Sequence, residues 1–412
     1  MLNQNFYKQL IFKRVMKKYL VIAASAAVVL SACAKIETVQ NTRDENVVSF
    51  GVYAGNSAVA KSTFGDITTD NLKTSTDGFG VFAYYTENDD WASTDTPNFM
   101  YNQQVKYNGS ANTTLYPAKW EYTPLKYWPN GQNSTTVETG TFADKVSFYA
   151  YAPHNETDSL SMIPAAGQGI TAMSANDAAG APSVTFTVPE AADKQIDLLW
   201  ATPVLNQTHK ALAGKVAFTF NHALTKLNFQ VQAVVDQVSP TSSNLGAETT
   251  IILDTLKVEA AGTKTGTLTL DSTTPTSPNW SSVSGNTKVT YTTASFASTT
   301  TVNGKTGFNV TETATDLNAS ISPMIIPATI STGDFVITAS YWVLTEDSAL
   351  DGGYSVVQQV IKKTSAAAVT FDAGKKYTIV VRLGLNSVDF DVTEVTAWTA
   401  ASGDPVDLPI NS

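Results

Sequence analysis

The sequence predicts an all-β protein, and three observations carry that prediction. Charged residues make up only 15% of the 412 positions while aromatics reach 10%, and Thr, Ser, Val, Tyr and Phe recur throughout with few helix formers between them. Short segments in which apolar residues fall at every second position recur along the chain, separated by turn-rich gaps. Cysteine occurs once, so no internal disulfide is available and the fold must rest on buried apolar surface. The chain is long enough for two or three domains.

The N-terminus reads as an export signal. Lys8, Lys13, Arg14, Lys17 and Lys18 come first with no acid among them, then the apolar run "LVIAASAAVVL", then small residues up to Cys33. That is the layout of a secretory signal, and the run is too short for a membrane-spanning helix. "MKKYLVIAASAAVVLSAC" is complete by itself, so Met16 is the expected start. "LSAC" resembles a bacterial lipobox, which makes Cys33 the acylated first residue of a lipoprotein and assigns 1–32 to the signal. The formal net charge is −10, and beyond the basic leader the chain is more acidic still. An acidic surface argues against nucleic acid or anionic lipid as a partner.

After a polar leader, 33–45, the strand pattern begins. "VVSFGVYA" (47–54) alternates Val48, Phe50 and Val52. "GFGVFAYYT" (78–86) reads as a buried strand. "KVSFYAYAP" (145–153) alternates Val146, Phe148, Ala150 and Ala152, and "PSVTFTVP" (182–189) alternates Val184, Phe186 and Val188. A domain boundary is expected near 202–214, giving domains of 46–208 and 209–412. Beyond it Val216, Phe218 and Phe220 share one face. Leu227, Phe229 and Val231 then alternate with Lys226, Asn228, Gln230 and Gln232, a half-solvated strand. Strand-like segments continue to "KKYTIVVRLGL", with 271–315 read as long loops around short edge strands.

Motifs with chemistry are few. "GFGVFA" meets a loose G-x-G-x-x-A pattern, but strand-like residues follow where a dinucleotide fold needs a helix. His154, His209 and His222 have no second ligand at metal-site spacing, and His222 reads as a hydrogen-bonded structural residue. No hydrolase, zincin or phosphate-loop motif occurs, so neither enzyme nor cofactor is expected. The acidic loops "ENDD" (87–90) and "EDSALDGG" (346–353) fit no EF-hand and read as solvated turns. "WEYTPLKYWPN" concentrates Trp120, Tyr122, Tyr127 and Trp128. Exposed, these would form a sugar-stacking platform; buried, they would supply core beside Pro124 and Pro129, the favoured reading. Trp91 is a second candidate for such a platform. Beyond the signal only Arg43 and Arg382 are arginines. Arg382 lies in a predicted strand, whereas Arg43 lies in the polar leader, open to an Arg-specific protease.

The order of "GFGVFAYYT", "NFMYNQQVKY", "WEYTPLKYWPN", "KVSFYAYAP", "DLLWA", "VAFTFNHALTKLNFQV", "PMIIPATI", "GKKYTIVVRLGL" and "VDFDVTEVTAW" behind a lipobox resembles the fimbrillin-like family, the type V pilus subunits of Bacteroides-type bacteria. The resemblance spans roughly 45–400. It implies two transthyretin-like Greek-key β-sandwich domains in tandem. It also implies export, acylation at Cys33, passage to the outer membrane and cell surface, and assembly with other pilin subunits. In stalk subunits of the family an Arg-specific protease removes the leader, which gives Arg43 the arginine's part and makes Asp44 the new N-terminus. The groove so opened takes a donor strand from a neighbour. In the tail "DPVDLPINS" the donor candidate is Val406, Leu408 and Ile410; Pro405 and Pro409 interrupt it. "DSL", "DTL", "DST" and "DSA" at Asp158, Asp254, Asp271 and Asp347 resemble the short O-glycosylation motif of such bacteria. Two functions compete: a structural pilus subunit supporting adhesion, and a monomeric surface lipoprotein that binds a glycan or host receptor.

Overall fold

Period-two alternation of β-branched and aromatic residues leaves the backbone little choice but extended pairing, and the structure is built of strands. The computed structural model describes residues 47–398, apart from 55–66, 114, 117, 130–143, 155–167, 191–193, 210–213, 235–245, 247 and 319–320. Cys33, Arg43, Asp44, Val406, Leu408 and Ile410 lie outside the described residues.

The first strands are β1 (Ser49–Tyr53), β2 (Phe79–Tyr85), β3 (Met100–Tyr107), β4 (Trp120–Glu121), β5 (Val146–Ala152), β6 (Gly169–Met173), β7 (Ser183–Thr187), β8 (Leu199–Ala201), β9 (Val204–Gln207) and β10 (Lys215–His222). Then come β11 (Thr225–Ala233), β12 (Thr249–Ala260), β13 (Thr265–Thr269), β14 (Asn279–Ser284), β15 (Thr287–Tyr291), β16 (Thr300–Val302), β17 (Lys305–Val310) and β18 (Thr315–Asp316). The last are β19 (Met324–Ile325), β20 (Ala328–Ile330), β21 (Phe335–Glu346), β22 (Tyr354–Thr364), β23 (Val369–Phe371), β24 (Lys375–Leu383) and β25 (Val388–Ala397). A short α-helix, α1 (Thr69–Thr74), starts where Thr68 Oγ1 accepts the Asn71 N–H at 3.2 Å, a side-chain N-cap.

Eight strands form the first sheet in the order β1-β10-β8-β5-β2-β3-β4, with β9 on β5. Its central strands bury both faces. Phe79, Val81, Phe148 and Ala150 enter one core with Phe50, Phe218, Trp120, Tyr122 and Trp128. Phe82, Tyr84, Tyr149, Tyr151 and Trp200 enter another with Val184, Phe186 and Leu268. In the first core Phe50 meets Tyr122 at 5.4 Å and Phe218 at 5.8 Å between ring centroids, contacts worth about 0.5–1.5 kcal/mol each beyond area burial. The second core lies against a four-stranded sheet, β14-β13-β7-β6.

The third core lies between β18-β11-β24-β25 and β16-β17-β12-β21-β22. Phe229, Val231, Ile379 and Val381 from one sheet pack with Ile251, Leu253, Ile337 and Tyr341 from the other. This is a sandwich of two facing sheets. Among the described residues two pairings are parallel, β1 with β10 and β11 with β24. All described residues belong to one compact unit.

One detail departs from the sequence reading, and two others go beyond it. Asn228, read as solvated, is buried, and its amide donates at 2.9 Å to Oδ1 of Asp316 on β18, the strand that pairs with β11. The stretch 202–214 contains β9, which pairs with β5. And β7 pairs with β13 through five residues, a ladder between segments far apart in sequence that local alternation does not announce.

Candidate functional site

An edge strand presents an unpaired row of N–H and C=O groups, ready to pair with another chain. The facing sheets of the third core end in β22 and β25, and these two edges lie on one flank. Gln359 Nε2 donates to Leu385 O at 3.0 Å, and Lys363 Nζ stands 3.2 Å from Asp389 Oδ1. Tyr377, Ile379, Val381 and Leu383 of β24 are buried, and opposite them stand Val395, Val392, Phe390 and Val388 of β25. Cover thins along that strand: Val388 is buried, Val395 is 52% exposed. On β22 Val357 stands opposite Val343 and is half exposed, while Val360 is 67% exposed. Among the described residues the flank therefore combines open backbone edges with uncovered valines.

The aromatic cluster does not form an exposed face. Trp120, Tyr122 and Trp128 are buried, and only Tyr127, 45% exposed, reaches solvent. The sugar-platform reading of these four is thereby corrected, because three of the rings are core. The cluster braces β1 instead. Tyr122 Oη donates to Val48 O at 2.7 Å, the Val48 N–H donates to Lys126 O at 3.0 Å, and Trp128 Nε1 donates to Gly214 O at 3.1 Å. Gly214 O also accepts the Ser49 N–H at 3.1 Å. The start of the described chain is thus clamped between β10 and residues 122–128. Trp91 packs edge-on against Tyr84 and Tyr149, its indole N–H buried without a partner among the described residues. It is no open platform either.

His222 is tied into the structure. Its Nδ1 stands 2.6 Å from Oδ2 of the fully buried Asp197, which also accepts the Ile67 N–H at 3.2 Å. The loop 346–353 is a hairpin turn, in which Asp347 Oδ1 accepts the Ala349 N–H at 3.0 Å. Asp254 Oδ2 accepts the Ser340 hydroxyl at 3.3 Å, and Asp271 Oδ1 accepts the Asn279 amide at 2.9 Å; Asp158 is outside the described residues. Among the described residues no group of three or more His, Cys, Asp or Glu is placed to hold a metal. Burial pushes up the pKa of Tyr84, Tyr122, Tyr149 and Tyr291. Each is a phenol kept neutral by packing.

A family model described as fimbrillin-like matches residues 67–398. The chain belongs to the fimbrillin-like family. A crystallised fimbrial protein from Bacteroides vulgatus has a similar fold, with a TM-score of 0.60 and 25% identity, covering 86% of this chain and 99% of its own. A curated relative, fimbrium subunit Fim1C of Phocaeicola vulgatus, is 26% identical over 411 residues, 93% of this chain and 97% of its own. The all-β fold read from the sequence is the fold of this fimbrillin-like chain.

Proposed function

We propose that this fimbrillin-like chain is a structural subunit of a cell-surface fimbrium, stalk or tip, rather than a catalyst. It is exported as a lipoprotein acylated at Cys33 and carried to the outer membrane. Its leader is then cut after Arg43, and it joins other pilin subunits by strand addition in a fibre that supports adhesion. The observation that carries this reading is family membership over 67–398, and the fimbrial relatives agree with it.

The architecture supplies the physical means. A cut after Arg43 would leave Asp44 just ahead of Val47 and Val48, where the clamp of Tyr122, Lys126 and Gly214 keeps β1 paired to β10. The cut would therefore free the leader without releasing β1. Strand addition needs an open edge and apolar positions at period two; among the described residues β25 presents both, with Val388, Phe390 and Val392, and β22 adds a second edge. The donor segment we assign is Val406, Leu408 and Ile410. We also assign the subunit two sandwich domains, 46–208 and 209–412, on the family resemblance, with β10 and β13 of the second segment pairing to β1, β8 and β7 of the first.

The deciding experiment is mass spectrometry of the N-terminus of protein taken from its native envelope. We expect Asp44. A population beginning only at acylated Cys33 would overturn processing and leave a lipid-retaining surface protein.

A further inference from the structure

We infer that the outer side of β3 carries a binding cleft for a short neutral saccharide. The proposal does not depend on how subunits assemble.

The cleft exists because β4 is only two residues long. Lys106 and Tyr107 of β3 pair with Glu121 and Trp120, and the chain then turns away. On that side Tyr101–Gln104 has no strand partner among the described residues. An open cleft of about 580 Å³ fills the gap, lined by Tyr101, Gln103, Gln104, Lys106, Glu121 and Thr123 over Tyr116 and Tyr122. That is the size class of small-ligand clefts, about 300–1,000 Å³.

A bulge shapes its rim. Val81 pairs with Gln103 but Ala83 pairs with Met100, so Tyr101 and Asn102 together face one residue of β2. Asn102 has a φ of 42°, in the left-handed region. Two interior side chains fix it: Tyr151 Oη donates to Asn102 Oδ1 at 2.6 Å, and His154 Nε2 stands 3.2 Å from Asn102 O. Bulges of this kind re-aim a side chain. Here the product is Tyr101, 38% exposed, with its ring edge on Phe82 and its hydroxyl on Ser174 O at 2.9 Å. It is a ring held still at the mouth of the cleft.

The lining chemistry selects the ligand class. Gln103 Nε2 donates to Thr123 O and Gln104 O, each at 3.1 Å, and Gln104 Nε2 donates to Asp77 O at 2.9 Å. These bonds lock two planar amides and leave their carbonyl oxygens without protein partners among the described residues. Glu121 spends one oxygen on the Asn108 amide at 3.0 Å, and among the described residues no ion pair joins it to Lys106 directly across. The cleft thus offers acceptors, one donor cation and an amphipathic ring in fixed positions. Hydroxyl groups bridge such a set, while sugar C–H faces lie on the ring. An anion would meet Glu121, and a purely apolar ligand would strand the amides. An added β-strand is blocked, because the Gln103 amide already spans from β3 to Thr123.

The test is saturation-transfer NMR on the full exported chain with lactose, N-acetyllactosamine, fucosyllactose and maltotriose as probes. At least one should bind, and Tyr101→Ala should weaken it about tenfold or more. Tyr101→Phe keeps the ring and should keep binding, and Gln103→Leu should lose it with an unchanged melt. The proposal is overturned if no probe binds more tightly than about 10 mM. It is equally overturned if binding survives both Tyr101→Ala and Gln103→Leu, or if only extended peptides bind.

Discussion

The imidazole of His222 lies flat against the indole of Trp398, with centroids 4.1 Å apart and planes 8° from parallel. This contact joins the end of β10 to the residue that follows β25. Trp398 is buried, its backbone N–H donates to Gly374 O at 2.7 Å, and Lys226 Nζ stands 5.7 Å from the ring centroid. Asp197 holds the imidazole from behind. Trp398→Ala should therefore destabilise the protein by about 3–5 kcal/mol, read as a lower urea midpoint. Asp197→Ala, which strands both the imidazole and the Ile67 N–H, should cost about 1.5–3 kcal/mol. A Trp398→Ala protein with an unchanged midpoint would mean that the stack does not secure the end of β25.

The buried phenols set an upper pH limit. Tyr122, Tyr149 and Tyr291 have pKa values raised above 10.0, burial being the largest cause in each. A raised pKa means that the folded state holds its proton where the unfolded chain would release it. Their contribution is thus fully present below pH 10 and is lost as pH rises through the folded values. A spectrophotometric titration near 295 nm should show exposed tyrosines ionising first. The buried set should ionise only in a steep step that coincides with loss of near-UV circular dichroism. Smooth titration of every tyrosine in a folded protein would contradict this.

Much of the strand pattern was legible because alternation reports burial directly. Val216, Phe218 and Phe220 face inward as their spacing requires, and the segment 271–315 does break into short strands. The site was less legible. Nothing local in "NFMYNQQVKY" reveals the bulge at Asn102, since it is fixed by Tyr151 and His154 from other segments. The ring-rich run 120–128 was ambiguous in sequence, because the same rings serve a core or a platform. Contact with Val48 and Gly214, far away in the chain, decides it.

The "GFG" that opens β2, with Gly78 just ahead of it, has a structural explanation that the loose nucleotide pattern concealed. Gly78 has a φ of 61°, and a Cβ there would lie 2.0 Å from Val105 O. At Gly80 a Cβ would lie 2.4 Å from Tyr151 Cε1. Tyr151 is fully buried and bound to Asn102, so it has nowhere to move. Gly80→Ala should cost about 1–3 kcal/mol by overpacking. It should also disturb the Tyr101 rim, seen as shifted Tyr101 and Asn102 resonances. A wild-type melt with unshifted resonances would show that the ring is not wedged in place.

The valines of β22 and β25 separate stability from assembly. Val360 and Val395 are more than half exposed, so polar replacements there should change folding stability by no more than about 0.5 kcal/mol. A lysine on an edge strand opposes pairing with another chain through desolvation and like-charge repulsion. Val360→Lys with Val395→Lys should therefore leave the melting temperature unchanged while reducing fibre formation by processed protein, measured by electron microscopy and sedimentation. Fibres of normal length would place the subunit contact on another edge. A large fall in melting temperature would instead mean that these side chains belong to the core of the sandwich.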